Sequence, residues 1–144
     1  MAQKIKIILL VACLALLNAC KDYDAKDCSL AICSEQFISI FMNVVSLTDE
    51  GMQQPLALDA FQIIDKSDES IVALNFSADD FLAMQENGRY LVYNDNFVHG
   101  RENTQVVLEF VGIVGSEEVV RAELIVDIDC CHVSTTSSLK LILE

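Results

Sequence analysis

Glu117-Glu118-Val119-Val120-Arg121-Ala122-Glu123-Leu124-Ile125-Val126-Asp127-Ile128-Asp129 decides the fold class of this chain. Val120, Ala122, Leu124, Val126 and Ile128 fall on one parity, and Arg121, Glu123, Asp127 and Asp129 on the other. A period of two puts these sets on opposite faces of a pleated strand, one buried and one wet. Gly115-Ser116 just before it supplies a turn, and the apolar residues of 105–114 read as the partner strand.

Short apolar runs broken by turn residues extend this pattern in both directions. C-terminally, 134–138 is a polar connection, and Leu139, Leu141 and Leu143 alternate in a last strand. N-terminally, 37–45 is apolar on both faces, as a central strand is, and Thr48-Asp49-Glu50-Gly51 turns the chain into a strand over 57–65. Lys66-Ser67-Asp68-Glu69 is a second turn, followed by the alternating Val72, Leu74 and Phe76. Ser77 is placed to cap a short helix over 78–85 that Asn87-Gly88 ends. A strand over 90–93 and a polar loop over 94–103 complete the chain. About seven strands predict an all-β fold, a single antiparallel β-sandwich, transthyretin-like or immunoglobulin-like.

The 144 residues suffice for one core, and the charge is uneven along them. Of nine basic residues, Lys4 and Lys6 precede position 20, leaving seven against all 22 acidic residues over 21–144, a net of −15. Such a charge repels nucleic acid and anionic lipid headgroups and favours a solvated surface.

Lys4 and Lys6, the apolar run 7–17 and Asn18-Ala19 before Cys20 reproduce the three parts of a secretory leader, and the run is too short to span a bilayer. Leu17-Asn18-Ala19-Cys20 resembles the lipobox of bacterial lipoproteins, with Asn18 the one departure. That resemblance implies removal of 1–19, lipidation of Cys20 and membrane attachment through the lipid. Lys21-Asp22-Tyr23-Asp24 resembles the export signal that sends lipoproteins of the Bacteroidetes to the outer face of the outer membrane. Residues 20–36 then read as a lipidated tether and 37–144 as the domain.

Two further resemblances concern the domain. Val44-Val45, Asp49-Glu50-Gly51 and the strand after Pro55, with Gly88-Arg89-Tyr90-Leu91-Val92 later, look like transthyretin-like or carboxypeptidase-regulatory-like sandwiches. Asp129-Cys130-Cys131-His132-Val133-Ser134 resembles a motif of small uncharacterised Bacteroidetes lipoproteins. Both imply a fold and a location, and neither implies an activity.

Without Cys13 and Cys20, four cysteines remain: Cys28, Cys33, Cys130 and Cys131. An even number in an exported domain predicts two disulfides, and adjacent cysteines rarely pair with each other. The 28/33 segment is therefore expected to be stapled to Cys130-Cys131, with the pairing open and a bend needed at the vicinal pair. Each bridge alone closes about a hundred residues, worth roughly 4 kcal/mol on the chain-entropy model. With His132 these residues also form a soft ligand set for zinc or copper, but a vicinal Cys-Cys-His on a strand poorly surrounds one ion. No metal and no cofactor are expected.

Catalytic signals are sparse. His99 lies near Asp95 and Glu102 but reads as a solvated loop histidine. Ser134, Ser137 and Ser138 lie near His132 without a nucleophile-elbow pattern. Asp65, Asp68 and Glu69, or Asp79 and Asp80, lack the spacing of a twelve-residue calcium loop and read as turn carboxylates. The expectation is a non-enzymatic binding or accessory module at the cell surface. It presents loops such as 94–103 to a protein or glycan ligand, or serves as a structural part of an envelope assembly.

Overall fold

A computed structural model describes residues 27–143. The leader, Cys20 and the tether up to residue 26 lie outside the described residues. Among the described residues nine strands form two sheets. The strands are β1 (Ser39–Leu47), β2 (Gln53–Pro55), β3 (Ala60–Asp65), β4 (Ser70–Ile71), β5 (Arg89–Asn94), β6 (Thr104–Val114), β7 (Glu117–Ile128), β8 (Val133–Thr135) and β9 (Lys140–Leu143). One helix, α1 (Ala78–Asn87), lies between β4 and β5.

The quoted segment is β7. Val120, Leu124, Val126 and Ile128 are buried, and Arg121, Glu123 and Ile125 are exposed. It pairs antiparallel with β6 through the Gly115-Ser116 turn, with a bulge at Gly112/Ile113. The second sheet runs β4-β3-β6-β7-β8.

The first sheet is built on β1 and is mixed. Asn43 pairs with both Arg89 of β5 and Lys140 of β9, while Val45 pairs with both Pro55 of β2 and Ile142 of β9. A residue has one neighbour per edge, so β5 and β2 divide one edge of β1 and β9 takes the other. At the junction the Val44 N–H donates to the Gly88 carbonyl at 2.7 Å and its carbonyl accepts from the Leu56 N–H at 3.0 Å. β9 lies parallel to β1. This corrects the purely antiparallel, roughly seven-strand expectation. The strand-length alternation of Leu139, Leu141 and Leu143 identifies a strand but not the direction of its partner.

Both sheets contribute to one core in a sandwich-like arrangement. Ile40, Met42, Val44, Tyr90 and Val92 of the first meet Ile63, Leu108, Phe110, Leu124 and Val126 of the second. Phe61 is the hub at one end, with its ring centroid 5.8 Å from Phe110, 5.4 Å from Tyr90, 6.1 Å from Phe81 of α1 and 5.6 Å from Phe76. The buried Tyr90 hydroxyl donates to the Leu56 carbonyl and accepts from the Leu58 N–H, both at 2.7 Å, fixing the crossing from β2 to β3.

Helix α1 starts as its sequence predicts. Ser77 and Asp80 form a reciprocal capping box, and Gly88 ends the helix in the left-handed conformation at φ 60°. It is longer than the expected 78–85. Of the strand expected over 71–76 only Ile71 joins a ladder, and Phe76 packs on Phe61 and Phe81.

Candidate functional site

Two regions are candidate sites. The first is the stapled end of the sandwich. Asp129 turns β7 into β8: its carboxylate accepts from the Cys131 and His132 N–H groups at 2.6 and 2.7 Å, while its own N–H donates to the His132 carbonyl at 3.0 Å. That aspartate turn is the bend the vicinal cysteines require. Cys28 joins Cys130, and Cys33 joins Cys131. The Asn103 amide packs on the first bridge, its Nδ2 lying 2.9 Å from the Cys28 sulfur. Held in disulfides, the four sulfurs are not thiolates, the form in which cysteine ligates zinc or copper.

His132 projects beside this turn between Ser34 and Asp95. Its Nε2 is 2.9 Å from Ser34 Oγ, and its Nδ1 is 2.8 Å from Asp95 Oδ2. The order serine, imidazole, carboxylate is that of a hydrolase triad, assembled from three segments distant in sequence. The remaining Asp95 bonds give another account of it. Asp95 Oδ2 also accepts from the Ile38 N–H at 2.7 Å, and Oδ1 accepts from the Val133 N–H at 2.9 Å. One carboxylate thus ties the segment entering β1 to the start of β8. Burial pushes the Asp95 carboxyl up, and the bonds from His132, Ile38 and Val133 outweigh it and hold the group below its ordinary 3.8. Ser34 lies on an exposed stretch.

The second region is an open groove of about 740 Å³, within the usual range of ligand clefts. Its floor is the outward side of β1 and β5, with Ser39, Phe41, Asn43, Arg89 and Leu91. One wall comes from Asn75 and Phe76 with Asp80, Ala83, Met84 and Asn87 of α1, and Phe37, Asn94 and Asn96 close an end. The Arg89 guanidinium carbon sits 4.1 Å from the Phe41 ring centroid. Phe37 and Phe76 are 57% and 40% exposed, high values for phenylalanine in a folded domain. Phe76 is nevertheless held by Phe61 and Phe81, so its ring is fixed while part of it stays open.

Three groove asparagines are oriented by one end of their amide. Asn43 Nδ2 donates to the Leu139 carbonyl at 3.0 Å, and Asn87 Nδ2 to the Ala83 carbonyl at 2.7 Å. Asn94 Oδ1 accepts from the Asn96 N–H at 3.1 Å. Asp80 is already engaged, accepting from the N–H and hydroxyl of Ser77.

The other residues singled out in the sequence separate into three groups. His99 is fully exposed and pairs with Glu102 at 3.5 Å, away from Asp95, which belongs to His132. The hydroxyl of Ser137 and that of Thr135 bond to the β7 backbone at Ile125, where they secure the β8 connection. Asp65 is a correction, since it is no solvated turn carboxylate. It follows Phe61 and Ile63 at the inward positions of β3, is 0% exposed, and pairs with Arg101 at 2.6 Å and with the N–H and hydroxyl of Ser67. The parity of Phe61, Ile63 and Asp65 carries that signal in the sequence. Asp68 and Asp80 do cap turns, through Ser70 and Ser77. Among the described residues no three histidine, cysteine, aspartate or glutamate side chains are grouped to hold a metal ion.

No family model matches this chain, and neither the curated proteins nor the solved structures contain a match to it.

Proposed function

We propose that this chain is an envelope lipoprotein, anchored to the outer membrane through Cys20 and exposed at the cell surface, whose domain is a non-enzymatic recognition module. The leader resemblance and the two disulfides support export to an oxidising compartment. The β1–β2 hairpin, turning at 48–52, and the Gly88-Arg89-Tyr90 strand favour the transthyretin-like form of the sandwich.

The observation that carries recognition is the groove over β1 and β5. Open aromatic surface and oriented amides line a concavity on rigid strands and a capped helix, which favours binding with little ordering on contact. The Ser34–His132–Asp95 chain is read as a clamp because Asp95 bonds two backbone segments in addition to the imidazole.

Two measurements test the reading. Cys20→Ser releases the protein from the membrane fraction, and retention there contradicts lipid anchoring. Ligand capture at the groove is weakened at least tenfold by Arg89→Ala with an unchanged melting temperature, whereas full binding by that variant contradicts the assigned surface. A stable stoichiometric envelope partner held through a strand edge would favour the rival reading, a structural subunit.

A further inference from the structure

We infer that the groove over β1 and β5 takes an uncharged oligosaccharide chain, an assignment that rests on the recognition reading above. A sugar ring presents an apolar C–H face and a rim of hydroxyls that both donate and accept. Its binding site therefore needs flat apolar surface interleaved with oriented polar groups. The groove supplies the first with Phe37 and Phe76, which keep 57% and 40% of their surface open. It supplies the second with amides. Asn43 and Asn87 each spend one amide proton on a backbone carbonyl and turn a carbonyl oxygen away from that bond, and Asn94 spends its oxygen and keeps its NH₂. Fixing one end of an amide fixes the direction of the other, so donors and acceptors are set before a ligand arrives.

Charge selects among sugars. Residues 21–144 carry a net of −15, which repels uronate, sulfate and phosphate polymers. Among the described residues Arg89 is the one cation lining the groove, and its stacking on Phe41 leaves N–H edges for hydroxyl oxygens. A protein ligand of ordinary affinity needs a wider desolvated surface with apolar anchors, whereas a concavity of about 740 Å³ that holds five asparagines accommodates a few sugar units.

The test uses the full chain, expressed with export and purified from membranes in a sugar-free detergent. It is applied to an array of neutral glucans, mannans, xylans and galactans, with uronate and sulfated polymers alongside. Binding to at least one neutral class, weakened tenfold or more by Arg89→Ala and by Asn43→Ala at unchanged melting temperature, is expected. A blank neutral array, binding that both variants retain, or preference for the anionic polymers overturns the inference. A photocrosslinking residue at Asn75 on intact cells separates the two readings. A protein crosslink beside a blank array overturns the sugar and keeps recognition, while no crosslink and a blank array sinks both.

Discussion

The two disulfides interleave and close almost the same loop, so removing one should cost only about a third of removing both. Cys28–Cys130 spans 102 residues and Cys33–Cys131 spans 98, and either alone constrains nearly the whole domain. For a loop of that length the chain-entropy model gives about 4.7 kcal/mol. Once one bridge exists, the other closes only the short ring made of residues 28–33 and the adjacent pair 130–131. For a ring of roughly eight residues the same expression gives about 2.5 kcal/mol. Either bridge therefore backs up the other. Cys28→Ala/Cys130→Ala and Cys33→Ala/Cys131→Ala should each lose about 2.5 kcal/mol, and the quadruple variant about 7 kcal/mol, an excess of about 2 kcal/mol over additivity. Guanidinium unfolding of the four proteins, oxidised and in one buffer, reads this directly. Additive losses would refute this shared-loop argument, and so would a loss of about 4.7 kcal/mol from either pair alone.

Other consequences concern single residues. Arg101→Met strands the buried Asp65 carboxylate and should destabilise by about 3 kcal/mol in chemical denaturation; a loss under 1 kcal/mol would show that Asp65 is hydrated or protonated instead. Gly88→Ala meets both a left-handed backbone and the Val44 carbonyl oxygen, 2.5 Å from the added carbon. It should lose at least the ~1–3 kcal/mol of a strained backbone, and an unchanged melting temperature contradicts the register at that junction. Burial raises the Asp65 and Asp95 carboxyls, but Ser67 with Arg101, and His132 with the Ile38 and Val133 amides, outweigh it and hold both below 3.8. Their stabilisation is thus present above the ordinary carboxylate range and lost as pH falls through the depressed values, so unfolding free energy should drop as pH falls below about 4. Asp95→Asn should flatten that slope, and an unchanged slope contradicts the clamp. A fluorophosphonate probe should leave Ser34 unlabelled, whereas stoichiometric labelling that His132→Ala abolishes would convert the clamp into a catalytic triad.

What the sequence made legible was local. The parity of β7, the Ser77/Asp80 box of α1 and the Gly115-Ser116 turn each depend on neighbours within a few residues. The short strand β8 was hidden in a polar connection, since Val133-Ser134-Thr135 becomes a strand only where Asp129 folds the chain back onto β7. Alternation at Val72, Leu74 and Phe76 gave a strand signal, but those residues serve the core and the aromatic cluster without a ladder partner. The need for two disulfides and a bend followed from cysteine count and geometry, whereas the pairing awaited the fold. Asp95 and His132 lie 37 residues apart and Ser34 and His132 98 apart, so no spacing rule joins them. The groove was invisible for the same reason, its lining being spread over β1, 75–76, α1 and β5.

The most direct test of the central claim is a ¹H–¹⁵N NMR titration of the oxidised protein with the neutral oligosaccharide that the array selects. Perturbations confined to the side-chain amides of Asn43, Asn75, Asn87, Asn94 and Asn96 and the Arg89 guanidinium are the predicted result. Perturbations centred on the exposed face of β6 and β7, or on the 130–132 turn with the groove silent, would contradict it.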